Sequence, residues 1–414
     1  METPEPSFFD WVRVHSASDP SSLRLKYGSK KNDGIDYSAA IDQIECRRKF
    51  AGKLSETLAA FPDFFFPSVL AGEQASSDLL ADYHGSLITA GARVADLTAG
   101  LGIDVFHLAQ KASEVVAVEL DNARAEALRF NSVGLGCGNV EIVEGDCRDF
   151  VRAAVAARRF FDVVFIDPAR RDNDGRRVFA LTDCRPDVVE MLPDIAKICR
   201  KLIIKASPML DITHSADAVG TCLETAVALG TPTDCKELLL VADFEKSSEE
   251  AAIRAVVLSK EGSLTYSFFR SRENAAQMPA PGRVLMTGDY LYEAYPEVMK
   301  TGVFKLLASE FGLSIINPNT KLFYSGELNT SFPGRVYKVL EVFPYASKVI
   351  KRFKKDYPKV CVAVRNFGMS ADALRARLGV ADGGPLRLYG FTDATGDKVL
   401  ALTEEVNSDK NLSV

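Results

Sequence analysis

Short apolar segments alternate with helical stretches from residue 93 onward, and this alternation is the strongest constraint on the fold. The segments are rich in Val, Ile and Leu and read as strands at residues 93–98, 114–120, 140–146, 161–168, 201–207, 236–243 and 252–259. Helical stretches fill gaps between the first five, notably at residues 121–132, 147–158 and 186–200. Near-continuously apolar strands that alternate with helices predict a parallel sheet covered on both faces. We therefore expect a doubly wound, Rossmann-like α/β domain over residues 91–276.

The flanking regions differ from this pattern. Only EKSSEEA separates the last two strands, which is too short for a crossover helix and predicts an antiparallel pair. Residues 1–90 are predicted to be helical, with one continuous pattern over residues 36–61. After a Pro- and Gly-containing boundary at QMPAPGR, two small α+β modules are expected, over residues 277–345 and 346–414.

The composition narrows the class of protein. Hydrophobic residues make up 47% and charged residues 26% of the 414 residues, as in ordinary globular proteins. No apolar run approaches the roughly 18 residues of a membrane helix, and the first residues do not resemble a signal peptide. Eight cysteines without a CxxC pair argue against a zinc site and against a disulfide scaffold. We expect a cytoplasmic protein that binds neither metal nor membrane.

Acidic and small residues follow the predicted strands where each strand ends. In a doubly wound sheet, ligands bind beyond these carboxyl ends. The first strand runs into Asp96, Thr98, Gly100 and Gly102, and the next three lead to Glu119, Asp146 and Asp167. The dinucleotide pattern GxGxxG fails, because its last position is Val105.

The same residues favour S-adenosylmethionine as the ligand. Asp96 can balance the charge of the ammonium group of S-adenosylmethionine. Glu119 can accept hydrogen bonds from both ribose hydroxyls, and Asp146 can accept one from the adenine amino group. The alternative for each acid taken alone is a helix N-cap or a solvated loop. Four acids in register at four successive strand ends favour the cofactor site.

Four stretches carry a family resemblance: VADLTAGLGIDVFHLA, VELDNARAEALRFN, VEGDC and FDVVFIDPARR. They resemble the ordered motifs of class I S-adenosylmethionine-dependent methyltransferases over roughly residues 90–260. DLTAGLG-x-D is similar to the first motif of bacterial 16S rRNA guanine-N2 methyltransferases. FPDFFFPSVLAGEQASS, the DPARR turn and a late RNF…GG module resemble a bacterial methyltransferase family with ferredoxin-like and THUMP-like domains. The resemblance implies a methyltransferase acting on a base nitrogen of structured RNA.

The DPAR turn would face the methyl acceptor. Asp167 and Pro168 match the resembled families, in which the acid and backbone carbonyls hold the amino group and an aromatic residue stacks on the base. Arg170 stands near the aromatic position and can either stack on a base or pair with an acid such as Asp172. Lys205, which ends the fifth strand, either lines the acceptor side or belongs to a simple turn.

Two further features complete the predicted site. By analogy with related enzymes, Gln74 and Ser76 would touch the methionine carboxylate, with a plain helix cap as the alternative. A carbon-5 pyrimidine mechanism would need a cysteine nucleophile facing the site. None of Cys147, Cys184 and Cys222 has the required strand-end position, since Cys184 falls in a predicted loop and Cys222 in a predicted helix.

A basic region near the C-terminus predicts the RNA-binding surface. Residues 335–387 contain 12 Lys and Arg against 4 Asp and Glu. Lys348, Lys351, Arg352 and Lys355 recur at helical spacing and predict one basic stripe on a short amphipathic helix around residues 345–356. Together with Arg365, they are the residues expected to bind RNA. A solubilising face is the alternative for this surface.

Two other functions stay open for the whole protein. One is a methyltransferase of small molecules, and the other is a non-catalytic RNA-binding scaffold.

Overall fold

A computed structural model describes residues 6–28, 34–169, 180–279 and 283–406. The chain forms two compact units, one of residues 1–225 with 238–249 and one of residues 226–237 with 250–414. No helix of the described part is long and apolar enough to cross a membrane.

In the described part of the chain, six helices precede the first strand, and they confirm the helical N-terminal prediction. They are α1 (Pro6–Val14), α2 (Pro20–Tyr27), α3 (Tyr37–Phe50), α4 (Ser55–Ala60), α5 (Val69–Gln74) and α6 (Asp78–Ser86). The continuous helix predicted over residues 36–61 is wrong, because a turn separates α3 from α4. Asp78 stabilises the break, since its Oδ2 accepts the N–H groups of Glu56 and Thr57 at 2.8 and 3.1 Å.

The first unit contains the predicted parallel sheet. Its strands are β1 (Arg93–Asp96), β2 (Glu114–Glu119), β3 (Val140–Glu144), β4 (Phe161–Ile166) and β5 (Cys199–Ala206). The accompanying helices are α7 (Ile103–Ala109), α8 (Asn122–Gly134), α9 (Cys147–Ala157), α10 (Val188–Ile198) and α11 (Ile212–Val219). The five strands pair in parallel in the order β3-β2-β1-β4-β5. The strand order reverses at β1, and doubly wound sheets bind ligands beyond the carboxyl ends of the strands at such a reversal, here β1 and β4.

The antiparallel strands that follow differ from the prediction. They are β6 (Leu223–Thr231), β7 (Asp234–Asp243), β8 (Ala252–Leu258) and β9 (Ser263–Phe269). The predicted pairing of residues 236–243 with 252–259 is wrong, because β6 lies between β7 and β8 in the sheet. The sequence LETAVALGT is rich in helix formers, yet tertiary pairing places it in a strand. Cys222 consequently lies in a turn and not in the predicted helix.

The rest of the second unit is one α+β assembly. Its helices are α12 (Arg270–Ala275), α13 (Pro296–Lys300), α14 (Lys305–Glu310), α15 (Ser347–Asp356) and α16 (Ala371–Leu378). Its strands are β10 (Tyr290–Ala294), β11 (Ser314–Ile315), β12 (Phe323–Ser325), β13 (Gly334–Pro344), β14 (Cys361–Arg365), β15 (Leu386–Thr392) and β16 (Lys398–Glu405). They form one sheet in the order β11-β12-β10-β13-β16-β15-β14. The two predicted modules thus contribute strands to a common sheet, while the four-part division of the chain stays a prediction.

Candidate active site at the ends of the parallel strands

Asp96 ends β1 and is buried, with 1% of the residue exposed. Its Oδ1 accepts the N–H of Thr98 at 2.9 Å, which shapes the turn after the strand. Burial raises the pKa of Asp96 from its ordinary value of 3.8 to about 8, and the charges of Asp104 and Asp167 add to this effect. The Thr98 N–H and the Lys205 ammonium act in the opposite direction. A cation placed beside Asp96 would favour its ionised form.

Both glycines of the turn have backbone angles that favour glycine. Gly100 has φ of 57° and Gly102 has φ of 91°. A Cβ atom on Gly102 would lie 2.2 Å from Leu128 Cδ1, so Gly102 is also required for packing against α8. Among the described residues other than its chain neighbours, a Cβ atom on Gly100 would meet only the Thr98 carbonyl oxygen, at 3.9 Å. The backbone at Gly100 is therefore open to the close approach of a ligand.

Glu119 fastens the end of β2 to this turn. Its Oε2 accepts the N–H of Gly100 and its Oε1 accepts the N–H of Asp121, each at 2.8 Å. Arg124 Nε lies 3.1 Å from Oε1, and the glutamate is 5% exposed. Each carboxylate oxygen has a second lone pair, so the predicted contact with ribose hydroxyls stays chemically possible.

Asp146 lies at the N-terminus of α9, where it serves as the helix cap. Its Oδ1 accepts the N–H of Arg148 at 2.8 Å, and its Oδ2 forms an ion pair with Arg148 Nη2 at 2.6 Å. The hydrogen bond from Arg148 lowers the pKa of the Asp146 carboxyl. An adenine amino group would have to share this carboxylate with Arg148.

The turn after β4 begins with Asp167 and Pro168. The Asp167 N–H donates to Thr98 Oγ1 at 2.6 Å, which joins this turn to the one after β1. The Asp167 carboxylate pairs with Lys205 Nζ at 2.7 Å while 27% of the side chain stays exposed. Pro168 is buried, whereas Arg170 lies outside the described residues.

A buried polar network lies beside Asp167, and the sequence predictions missed most of it. Asp104 Oδ1 lies 2.7 Å from His84 Nδ1, and its Oδ2 accepts from Ser76 Oγ at 2.7 Å. Lys205 Nζ donates to Ser76 Oγ at 2.9 Å. Burial alone would raise the pKa of Asp104, but the Lys205 and His84 charges outweigh it and hold the pKa below its ordinary value.

One sequence signal was available for this network, because Asp104 lies two residues after Gly102 of the glycine turn. His84 gave no signal, since the four histidines are too scattered along the chain to suggest a ligand set. The N-cap of α6 is Ser77, whose Oγ accepts the Leu80 N–H. Ser76 is therefore not the cap of this helix. Gln74 is the exposed last residue of α5. Among the described residues, no group of three His, Cys, Asp or Glu is placed to hold a metal.

Comparisons with known proteins agree with this architecture. Residues 77–183 match the family of conserved hypothetical protein 95, residues 290–333 match a ferredoxin-like domain, and residues 334–405 match the THUMP domain-like family. A Porphyromonas gingivalis W83 protein, assigned by name to the methyltransferases, has a crystal structure with 29% sequence identity to this chain. The alignment covers 97% of this chain and 98% of that one, with a TM-score of 0.86.

Three family models match successive parts of the chain, and the Porphyromonas gingivalis protein shares its fold over nearly the whole length. The resemblance inferred from the motifs is thus confirmed. Among curated proteins, the 23S rRNA (uracil(1939)-C(5))-methyltransferase RlmD of two Xylella fastidiosa strains is 40% identical over 80 residues, or 19% of this chain. The match spans 18% of the length of those relatives.

The THUMP-like match contains the predicted basic stripe. Lys348, Lys351, Arg352 and Lys355 are exposed on α15, while Phe353 is buried in the module's core. This arrangement confirms an amphipathic helix with a cationic outer face. Arg365, at the end of β14, forms an ion pair with Glu293. Contact of these five residues with RNA stays a prediction.

Proposed function

We propose that the protein transfers a methyl group from S-adenosylmethionine to a base nitrogen of structured RNA. One observation carries the proposal: acidic side chains occupy the carboxyl ends of four adjacent parallel strands. They are Asp146 after β3, Glu119 at β2, Asp96 at β1 and Asp167 after β4. Doubly wound sheets bind ligands at this edge. Asp146 also caps α9, but a ligand site explains the other three acids, which cap no described helix.

The cofactor side of the site fits a cationic nucleoside. Asp96 would balance the ammonium group, the open backbone at Gly100 and the turn at Gly102 and Thr98 would contact the methionine part, and Glu119 would hold the ribose. Asp146 would accept the adenine amino group, and Gln74 and Ser76 would lie near the methionine carboxylate. When bound, the cofactor supplies a methyl group already activated by its sulfonium.

The acceptor side needs alignment more than activation. Asp167 would accept a hydrogen bond from the nitrogen that is methylated and hold its lone pair toward the methyl group. Pro168 and the Thr98 hydroxyl fix the backbone of this turn. Arg170 would stack on the base or contact a phosphate. Guanine N2 is the first acceptor to test, because DLTAGLG-x-D is similar to the first motif of bacterial 16S rRNA guanine-N2 methyltransferases.

The THUMP-like match and the basic helix α15 support RNA as the substrate. Lys348, Lys351, Arg352, Lys355 and Arg365 would contact phosphates, and a protein that acts on such RNA would be cytoplasmic. The curated relatives act on 23S rRNA by name, which favours ribosomal RNA for the first assay.

Uracil carbon 5 is the second candidate acceptor. The position of Cys184 in the structure favours it. Ala169 and Arg185 form an antiparallel bridge, which brings Cys184 beside the turn that contains Asp167. This mechanism requires an accessible thiolate, whereas Cys184 is 3% exposed. The base nitrogen is therefore our first choice.

The test uses tritium-labelled S-adenosylmethionine with ribosomal and transfer RNA from a strain lacking the gene. We expect methyl incorporation into one RNA species, and digestion with mass spectrometry identifies the nucleotide. Wild-type activity that disappears in Cys184→Ala would favour carbon 5. Incorporation into metabolites alone would favour a small-molecule enzyme. RNA binding without any transfer would favour the scaffold.

A further inference from the structure

Lys205 is a buried cation at the carboxyl end of β5. It is 4% exposed, and an ammonium group is seldom buried to this extent unless charged or polar partners surround it. In the parallel ladder Ile204 of β5 pairs with Ile166 of β4, so Lys205 lies beside Asp167 at the edge of the sheet. Its position is therefore that of the proposed acceptor site.

Among the described residues, oxygen atoms from three separate parts of the chain lie near the ammonium group. Lys205 Nζ lies 2.7 Å from Asp167 Oδ2, 2.9 Å from Ser76 Oγ and 3.7 Å from Asp104 Oδ2. Asp167 follows β4, whereas Ser76 precedes α6 and Asp104 lies in α7. The ammonium group thus connects the acceptor turn to the segments that pack beside the cofactor turn.

The two carboxylates on Lys205 differ in their surroundings. The Asp104 side chain is 12% exposed and is already held by His84 and Ser76, both at 2.7 Å. The Asp167 side chain is 27% exposed, so part of it faces the open edge of the sheet. Asp104, His84 and Ser76 therefore anchor the lysine from the buried side, and the lysine holds Asp167 at the open side.

We propose that Lys205 is a positioning residue that fixes the Asp167 carboxylate for the methyl acceptor. With Oδ2 held by the ion pair, the orientation of the carboxylate plane is set before the substrate arrives. Misplacing a reacting group by about 1 Å can lower a rate by roughly a hundredfold, so a fixed carboxylate has a direct kinetic effect. The inference deepens the proposed function and rests on it.

Lys205→Gln tests the proposal, because glutamine retains hydrogen-bonding ability but removes the charge. We expect kcat for methyl transfer to the RNA substrate to fall at least a hundredfold, about 2.7 kcal/mol. The dissociation constant for S-adenosylmethionine, measured by calorimetry, should stay within threefold. The matched control is Lys201→Gln on the same strand, whose lysine is partly exposed and pairs with Glu224 at 3.5 Å. This control should retain wild-type kcat.

A double variant separates positioning from a general structural role. If Lys205 acts through Asp167, then Lys205→Gln combined with Asp167→Asn should be no slower than Asp167→Asn alone in single-turnover assays. If Lys205→Gln fails to fold, Lys205→Gln combined with Asp104→Asn removes both buried charges and is assayed instead. It should show the same loss of kcat with retained cofactor binding.

Three outcomes would overturn the inference. Wild-type kcat in a folded Lys205 variant would show that Asp167 needs no such support. Multiplicative losses in the double variant would show that Lys205 acts independently of Asp167. A wild-type protein that transfers no methyl group to either RNA pool would overturn the proposed function and this inference together, and that result is distinct from the other two.

Discussion

The proposed function gives the carboxylates at the strand ends separate tasks, and it assigns the methyl acceptor to Asp167. We predict that Asp167→Ala abolishes methyl transfer while the affinity for S-adenosylmethionine changes by less than threefold, about 0.7 kcal/mol. The reason is that the proposed function assigns Asp167 to the methyl acceptor, whereas Glu119, which accepts the Gly100 N–H, is assigned to the cofactor. Calorimetry and the tritium assay measure the two quantities.

Asp162 provides the control for that prediction. It lies at the opposite end of the same strand and accepts the Arg93 N–H at 2.7 Å. Asp162→Ala should therefore retain transfer activity. Loss of both cofactor binding and transfer in Asp167→Ala would mean that Asp167 holds the cofactor or the fold.

Asp96 should make the stability of the protein depend on pH. Its pKa is raised from 3.8 to about 8 in the folded state, so the folded protein binds this proton more tightly than the unfolded chain. The resulting stabilisation is full below about pH 4 and is lost as the pH rises toward 8. Asp96→Asn removes this loss and keeps an acceptor for the Thr98 N–H. We predict that at pH 9 it is more stable than wild type by at least about 1.4 kcal/mol, the equivalent of one pKa unit.

Urea unfolding of both proteins at pH 5 and pH 9 measures the effect. Asp146→Asn is the control of opposite sign, because Arg148 lowers the pKa of Asp146. That carboxylate stabilises the fold above its unfolded pKa, and the contribution is lost as the pH falls. Asp146→Asn should therefore bring no gain at pH 9, and an equal gain in both variants would contradict the assignment to Asp96.

At the scale of elements, the glycine turn between β1 and α7 should tolerate substitution poorly at Gly102. Alanine there must adopt a left-handed backbone, which costs about 1–3 kcal/mol, and must also displace Leu128. Overpacking of this kind adds about 1–3 kcal/mol. Gly136→Ala is the matched control, because Gly136 also has positive φ, 70°, but its Cβ would meet nothing within 4 Å. Denaturant unfolding should rank Gly102→Ala as the less stable variant, and equal losses would exclude the packing role.

Helix α15 should contribute to RNA affinity mainly through its charge. We predict that replacing Lys348, Lys351 and Lys355 together by Gln weakens the binding of ribosomal RNA. The variant should also reduce the salt dependence of binding. The slope of log K against log salt concentration should fall in magnitude by about one unit for each phosphate that the helix no longer neutralises. Titrations at several salt concentrations measure both effects. The control replaces Lys236, Lys260 and Lys321 by Gln, which changes the net charge equally on exposed residues outside this helix. Equal losses in both variants would indicate that net charge alone matters.

At the scale of the whole molecule, the C-terminal module should not be removable without damage to its neighbour. β16 pairs with β13 along most of its length, from Val399 opposite Pro344 to Glu405 opposite Tyr337. Leu291 of β10, Val339 of β13 and Tyr389 of β15 belong to one buried cluster. We predict that deleting residues 346–414 exposes an apolar strand edge and leads to aggregation, which size-exclusion chromatography detects. A monomeric, folded truncation would contradict this prediction.

Local sequence patterns were sufficient for the framework of the protein. Strand and helix periodicity depends on residues a few positions apart, so the sequence predicted the positions of the five parallel strands and of α15 correctly. The sequence also predicted correctly that Asp96, Glu119, Asp146 and Asp167 lie at strand ends. The family resemblance came from the same local motifs. The roles of the individual site residues stay predictions, because nothing in a single sequence shows what they contact.

Tertiary structure alone decided the contacts between residues distant in the chain. Ser76 meets Lys205 across 129 positions, and Asp78 caps a helix that begins more than 20 residues before it. Strand β6 is held by its neighbours against a helix-forming composition, and two expected modules share one sheet. Such contacts form because burying polar groups and strand edges is costly until a partner satisfies them, and periodicity does not identify that partner. The sequence by itself thus determined where the candidate site lies, and the fold determined which side chains meet there.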